Sequence, residues 1–181
     1  MGIYSEIDTF TIAPGHAGGY NSLMEKSFHR LARLFRDTLA PSLLYRHKAA
    51  RKSAYMRYAG ESPTLQDQIT TMCLNCEPKD RAKTIIDKTI LVVDDFITQG
   101  FTTEWARHLL LNAGAKQVIT VAIGAFHDAI EVQSFTGDMK WDSFRPVNIE
   151  DKYIRSRDVP AIKNQRVIET IVKSYEELTN M

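Results

Sequence analysis

A strand–helix–strand unit in the middle of the chain constrains the fold more than any other sequence feature. Ile90–Val93 (ILVV) is an uninterrupted apolar run, which is the pattern of a strand buried on both faces of a parallel sheet. A helix is predicted from the following turn to about Asn112, and Gly114 is placed to end it. Gln117–Gly124 is a second apolar run, predicted as another buried strand. The short joints between these elements predict a βαβ unit, and therefore an α/β fold with a central parallel sheet flanked by helices.

Length and charge place this unit in an ordinary globular protein. The chain has 181 residues, with 23 Lys and Arg against 22 Asp and Glu, so bulk electrostatics gives no reason to predict nucleic-acid binding. No apolar run approaches the roughly 20 residues of a membrane span, and the first residues lack the pattern of a signal peptide. We therefore expect a cytoplasmic protein with no membrane partner and a single domain over residues 1–181, with its core at about 7–124.

Further elements are predicted on the N-terminal side of the unit. Ile7–Ala13 is a short β-branched strand that runs into a loop rich in Gly and Pro. An amphipathic helix is predicted from Ser22 to about Leu39, with a capping box at its start. Ser42–Tyr45 is predicted as a second strand and about Thr64–Leu74 as a helix. Between them, Arg46–Arg57 is rich in Lys and Arg.

The C-terminal part, about residues 125–181, is less regular in sequence. It contains two loops that carry aromatic residues, and a terminal helix is predicted over about Ala161 to Leu178. Cys73 and Cys76 have the spacing of half a zinc site or of a redox pair, but the sequence has no second pair. We predict two half-buried thiols on a helix there instead of a metal or redox site.

The segment after the first apolar run has the chemistry of a site for a phosphorylated sugar. In open α/β sheets, ligands bind beyond the carboxyl ends of the strands, and a turn leading into a helix N-terminus there binds anions. Gly100 allows close backbone approach, and Thr98 and Thr102 offer hydroxyl donors. Asp94 and Asp95 are adjacent carboxylates, whose repulsion a ribose diol or a divalent metal beside them would offset. A diphosphate-bearing sugar supplies phosphate, vicinal hydroxyls and Mg²⁺ together.

The segment ILVVDDFITQGFT resembles the phosphoribosyl pyrophosphate (PRPP) signature of the type I phosphoribosyltransferases. The segment PGHAGGYNSLMEKSFHRLARLF is most similar in layout to the ComF-type, competence-associated branch of that family. The resemblance implies a Rossmann-like type I phosphoribosyltransferase fold with a small C-terminal hood. It also implies a Mg²⁺-dependent homodimer that transfers the ribose 5-phosphate group of PRPP to a nitrogenous base and releases pyrophosphate.

The resemblance further implies a role for each group of site residues. Asp94 and Asp95 contact the ribose hydroxyls and Mg²⁺, directly or through water. The 5′-phosphate is held by Thr98, Gln99, Gly100, Phe101 and Thr102. Pyrophosphate is held by Pro14, Gly15 and His16, and by Arg46, Lys48 and Lys52 of a flexible basic loop that closes over it. The hood, built from residues 125–160, holds the acceptor base, with Phe126, Phe135, Trp141 and Phe144 as candidates to stack on it.

Two departures from the family pattern keep a second function open, and a third bears on the acceptor. Gln99 and Phe101 are bulky where the family usually has small residues, which narrows the predicted phosphate turn. Thr98 stands where members that use 6-oxopurines carry an aspartate, which makes that acceptor class less expected and leaves pyrimidines or unusual acceptors. The alternative to a transferase is a non-catalytic PRPP- or nucleotide-binding regulatory or accessory protein, with a link to DNA uptake or DNA handling.

Overall fold

The computed structural model describes residues 7–20, 22, 24–26, 43–51, 53–61, 63–125, 129–135 and 141–160. Seven strands and four helices have both ends in this part of the chain, together with 3₁₀ turns at Pro78–Asp80 and Asp151–Tyr153. The strands are β1 (Thr9–Ile12), β2 (Leu44–Arg46), β3 (Met72–Leu74), β4 (Thr89–Ile97), β5 (Gln117–Ala125), β6 (Ala129–Phe135) and β7 (Ile154–Pro160). The helices are α1 (Ser53–Tyr58), α2 (Gln66–Ile69), α3 (Arg81–Thr84) and α4 (Phe101–Asn112).

The predicted central parallel sheet is confirmed. Its order is β1-β4-β5, with β4 paired in parallel to both neighbours. Ile90 and Val92 pack into the larger of two hydrophobic clusters, which also contains Trp105, and Leu91 and Val93 pack into the smaller one, as the alternation of side chains along a strand requires. The side chains of β5 are half-buried or exposed, where its apolar run predicted a strand buried on both faces.

Helix α4 connects β4 to β5 and contributes Trp105 to the larger cluster. Trp105 is fully buried, and its indole Nε1 donates a hydrogen bond to the Met72 carbonyl at 3.0 Å. The helix ends where the sequence predicted, and Gly114 just beyond it has φ +100°, a left-handed conformation that glycine adopts without strain. Burial of the α4 side chains therefore fixes the helix against the sheet and sets where its N-terminus points.

The helix predicted over about Thr64–Leu74 is wrong in its second half. The helical segment α2 ends at Ile69, and Met72–Leu74 forms β3, which pairs antiparallel with β2. A short apolar run cannot be assigned to helix or strand by periodicity alone, and pairing with β2 decides it here. Cys73 is consequently a buried strand residue, and Cys76 lies half-buried in the loop beyond β3, neither of them on a helix.

The region expected to form a hood contains a second two-stranded sheet. Strands β6 and β7 pair antiparallel, and the rings of Phe135 and Trp141 lie 6.1 and 5.8 Å from the ring of Trp105. Phe144 lies under the guanidinium of Arg81, at 3.4 Å. All three rings pack against the larger cluster, and their stacking on an acceptor base stays a prediction.

Several predictions fall on residues outside the described part of the chain. They are the terminal helix at about 161–178, the role of Phe126, and most of the helix at about 22–39, of which residues 22 and 24–26 are described and helical. No helix among the described residues is long and apolar enough to cross a membrane.

A buried charge cluster ties α4 to β6. Glu104 is 7% exposed, and its carboxylate accepts hydrogen bonds from the Arg107 guanidinium at 2.7 and 2.8 Å and from the Gln133 backbone N–H at 2.9 Å. Burial alone would raise the pKa of Glu104, but hydrogen bonds from Arg107 and His108 outweigh it and lower the pKa to about 2. The sheet of β6 and β7 is thus held to α4 by an ionised carboxylate as well as by aromatic packing.

We expect Glu104→Gln to lower the free energy of unfolding by about 2–4 kcal/mol at neutral pH. Because the folded-state pKa lies below the ordinary value of 4.5, this stabilisation is present above about pH 4.5 and is lost as the pH falls toward 2. Urea denaturation of wild type and variant should therefore give curves that converge at acid pH. The control is Glu150→Gln, which removes an exposed ion pair with Lys152 and should cost less than about 0.5 kcal/mol; equal losses would contradict the account.

Candidate active site

Parallel pairing of β1 with β4 brings two loops to one edge of the sheet. Ile12 lies opposite Val93, and the Ala13 N–H donates to the Val93 carbonyl at 2.8 Å. Beyond this bond β1 continues into residues 14–19, which we call the glycine loop, and β4 continues into Asp94 and Asp95. Residues 98–102, which we call the phosphate turn, follow at the end of β4. The carboxyl edge of the sheet therefore carries all three predicted segments.

The two adjacent carboxylates differ in environment. They lie inside β4, which continues to Ile97 and does not end before them as the sequence suggested. Successive side chains of a strand point to opposite faces, so Asp94 follows Ile90 and Val92 on the face of the larger cluster while Asp95 follows the other face. Asp94 is half-buried and Asp95 is exposed. This alternation limits the repulsion expected of neighbouring carboxylates.

The pKa of Asp94 lies close to neutral pH. Burial, followed by the negative charge of Asp95, raises the pKa of Asp94 to about 7, against the opposing effect of the Arg46 guanidinium. Perturbed carboxylates of this kind concentrate at functional sites. Asp94 is therefore a group whose charge a cationic or hydroxyl-bearing ligand would stabilise.

The phosphate turn leads directly into the N-terminus of α4. Gly100 is buried with φ +87°, no side chain caps the helix, and the Thr103 hydroxyl donates back to the Gly100 carbonyl at 2.9 Å. An uncapped helix N-terminus presents backbone N–H groups and a positive dipole end to an anion. Phe101 is 8% exposed and belongs to the larger cluster, so its ring does not narrow the turn.

Gln99 differs from Phe101 in the burial of its side chain. Its side chain is half-buried, and its Oε1 is buried without a hydrogen-bond partner. Thr98 and Thr102 are half-buried as well. Thr98, Gln99 and Thr102 are therefore partly accessible at the turn, and their contact with a phosphate stays a prediction.

The glycine loop is closed by its own backbone. Gly15 N–H donates to the Gly19 carbonyl at 2.9 Å, and Gly18 N–H donates to the Gly15 carbonyl at 3.1 Å. Gly18 and Gly19 have φ of +81° and +73°, which only glycine adopts readily. Gly15 and His16 are exposed, whereas Pro14 is buried, so the loop offers residues 15 and 16 to a ligand.

Arg46 does not belong to a flexible basic loop, contrary to the expectation. It is the last residue of β2 and is 5% exposed. Its Nε donates to the Gly15 carbonyl at 2.9 Å, and its two terminal nitrogens donate to the Thr71 hydroxyl at 2.5 Å and the Gln68 Oε1 at 2.9 Å. Burial lowers the pKa of Arg46 to about 10, against the charge of Asp94. The Arg46 side chain therefore stabilises the glycine loop through its hydrogen bond to the Gly15 carbonyl.

The rest of the basic segment has mixed roles. The Ala50 N–H donates to the His16 carbonyl at 2.8 Å, which joins the segment to the glycine loop. Arg51 pairs with Glu61 at 2.6 Å and with Asp67 at 2.9 Å, and α1 begins at Ser53. Lys48 is exposed. Lys52 lies outside the described residues.

Sequence reasoning missed Gln68 and Thr71. Both are buried partners of Arg46, and the Gln68 Oε1 also accepts a hydrogen bond from the Thr102 hydroxyl at 3.3 Å. They lie in the segment predicted as one continuous helix, where a Gln and a Thr carry no motif. Only the tertiary pairing of β2 with β3 places them behind the site.

The comparisons with known proteins give one match. A family model described as the phosphoribosyl transferase domain matches residues 48–139, about half of the chain. The matched span contains β4, the phosphate turn, α4 and β5. No curated protein and no solved structure matches the chain.

We expect Asp94→Asn to stabilise the ligand-free protein. Because the folded-state pKa of about 7 lies above the ordinary 3.8, ionised Asp94 costs stability as the pH rises from about 4 to 7. Removal of that charge should raise the free energy of unfolding by about 1–3 kcal/mol at pH 8, with the gain vanishing toward pH 4. Urea denaturation at several pH values measures it. The control is Asp87→Asn, at an exposed position outside the site, which should change the free energy by less than about 0.5 kcal/mol; an Asp94→Asn variant less stable than wild type at pH 8 would refute the assignment.

Proposed function

The chain belongs to the phosphoribosyl transferase domain family, and we propose that it transfers the ribose 5-phosphate group of PRPP to a nitrogenous base with release of pyrophosphate. One observation carries the proposal. An uncapped helix N-terminus, a perturbed carboxylate and a closed glycine loop meet at the carboxyl edge of one parallel sheet. Such an edge is where open α/β sheets bind their ligands.

Each segment has a part of PRPP that its chemistry suits. In this proposal the 5′-phosphate lies at the N-terminus of α4, where Gly100 allows close approach and the hydroxyls of Thr98 and Thr102 add donors. The ribose hydroxyls lie against Asp94 and Asp95. The pyrophosphate lies on Gly15 and His16 of the glycine loop.

Positive charge near the pyrophosphate comes from two residues with different roles. Lys48 is exposed and close in sequence to the point where the basic segment bonds the glycine loop, so it is the described residue best suited to a direct contact. Arg46 is buried and acts from behind the loop through its bond to the Gly15 carbonyl. Pro14 is buried and shapes the start of the loop.

The carboxylate pair suits Mg²⁺ that arrives with its substrate. Magnesium is commonly held by one or two carboxylates together with substrate phosphates, not by a complete protein cage. Asp94 and Asp95 provide such a pair, and the described residues contain no group of three or more potential metal ligands. When bound, the ion would neutralise part of the charge on the pyrophosphate.

The chemistry assigned to the protein is mainly positioning and charge complementarity. The bond between the anomeric carbon and the pyrophosphate oxygen breaks, a carbon–nitrogen bond to the base forms, and the electron pair leaves with the pyrophosphate. Fixed donors at the departing group stabilise the charge that develops there. Thr98 stands in place of the aspartate of members that use 6-oxopurines, so the acceptors to test first are pyrimidines and unusual bases.

Pyrophosphate release tests the proposal. Wild-type protein incubated with PRPP, Mg²⁺ and a panel of nitrogenous bases should release pyrophosphate in a base-dependent way, and Asp94→Asn/Asp95→Asn should lower the rate at least about 100-fold. Asp87→Asn is the control, since this exposed aspartate precedes β4 at the other edge of the sheet and its φ of +57° suits asparagine. PRPP binding without release for any base would overturn the transferase and indicate a binding protein.

A further inference from the structure

Gln68 is connected by hydrogen bonds to both the phosphate turn and the support of the glycine loop. It is 7% exposed on the short helix α2, and its Oε1 accepts two hydrogen bonds. One comes from the Arg46 terminal nitrogen at 2.9 Å and the other from the Thr102 hydroxyl at 3.3 Å. A buried carboxamide oxygen thus has a donor from each side of the site.

The two donors connect Gln68 to different parts of the proposed PRPP site. Arg46 also donates from Nε to the Gly15 carbonyl at 2.9 Å, so it fixes the glycine loop. Thr102 lies in the phosphate turn, in the first turn of α4. A continuous line of three hydrogen bonds therefore runs from the Gly15 carbonyl through Arg46 and Gln68 to the Thr102 hydroxyl.

The donor capacity of a hydroxyl makes this line sensitive to ligand. A threonine hydroxyl has one proton, and in this structure the proton is given to Gln68. A phosphate bound in the turn offers a charged acceptor, and charge-assisted hydrogen bonds are the stronger ones. Thr102 would turn its proton to the phosphate, and the Gln68 oxygen would keep Arg46 as its remaining donor of the two.

We propose that Gln68 is a positioning residue that couples the phosphate turn to the glycine loop, so that a change at Thr102 is felt where pyrophosphate binds. The inference rests on the proposed function, because it assigns the two loops to the two ends of PRPP. Gln68 itself touches neither end and acts through Arg46 and Thr102. Coupling of this kind requires a physical connection with two arrangements, and the single proton of Thr102 supplies them.

A double-mutant cycle on pyrophosphate binding tests the coupling. Pyrophosphate with Mg²⁺ is titrated calorimetrically into wild type, Thr102→Val, Gln68→Leu and the double variant. Thr102→Val should change the pyrophosphate Kd at least about threefold in the wild-type background, although Thr102 belongs to the other loop. In the Gln68→Leu background the same change should alter the Kd less than about 1.5-fold.

Two further variants separate coupling from simple support of the fold. Gln68→Glu keeps an acceptor oxygen for both donors, so the effect of Thr102→Val should persist in it. Gln68→Met has similar length and no acceptor oxygen, and it replaces Gln68→Leu if that variant fails to fold. A purely structural role would lower the unfolding midpoint of the Gln68 variants and leave the effects of the two positions additive.

The outcomes distinguish this inference from the function on which it rests. Wild-type binding of pyrophosphate with additive effects of the two substitutions would overturn the coupling and leave the transferase proposal standing. An effect of Thr102→Val that disappears in Gln68→Glu would also overturn it. Absence of binding of both pyrophosphate and PRPP to wild type would overturn both.

Discussion

The buried guanidinium of Arg46 is the interaction on which the candidate site depends. A cation that is 5% exposed must have its charge and its donors satisfied within the protein. Arg46 meets that requirement by bonding the glycine loop at Gly15, Thr71 just before β3 and α2 at Gln68, while Asp94 supplies opposite charge. The need to satisfy one side chain therefore gathers segments far apart in sequence behind the same edge of the sheet.

The environment of Asp94 lowers the stability of the ligand-free protein and favours ligand binding. Asp94 is buried enough that its pKa rises to about 7 despite the charge of Arg46, so the ligand-free protein holds a carboxylate in an unfavourable environment. A ribose diol or a divalent ion would relieve that cost on binding, which gives binding energy a specific source. The Glu104 cluster behaves in the opposite way, because its hydrogen bonds lower the pKa to about 2 and stabilise the fold without a ligand.

The local patterns predicted the parallel sheet and the helix after it, because burial of the first half of β4 leaves an uninterrupted apolar run and Gly114 stands where the helix ends. Tertiary pairing could not be read in the same way. Met72–Leu74 is too short to show a period, so β3 was predicted as helix. The position of Arg46 depends on that pairing, and its place in a segment rich in Lys and Arg led to its prediction as part of a flexible basic loop. Aromatic residues such as Trp141 carry no mark that separates core packing from stacking on a base.

Calorimetric titration of PRPP with Mg²⁺ into wild type, Gly100→Ala and Gly114→Ala tests the central claim most directly. Both glycines have positive φ, +87° and +100°, so both substitutions impose similar backbone strain, but they lie at opposite ends of α4. We expect saturable binding by wild type, at least about tenfold weaker binding by Gly100→Ala, and wild-type affinity for Gly114→Ala. Absence of saturable binding by wild type, or equal weakening by the two substitutions, would contradict the placement of the phosphate at the N-terminus of α4.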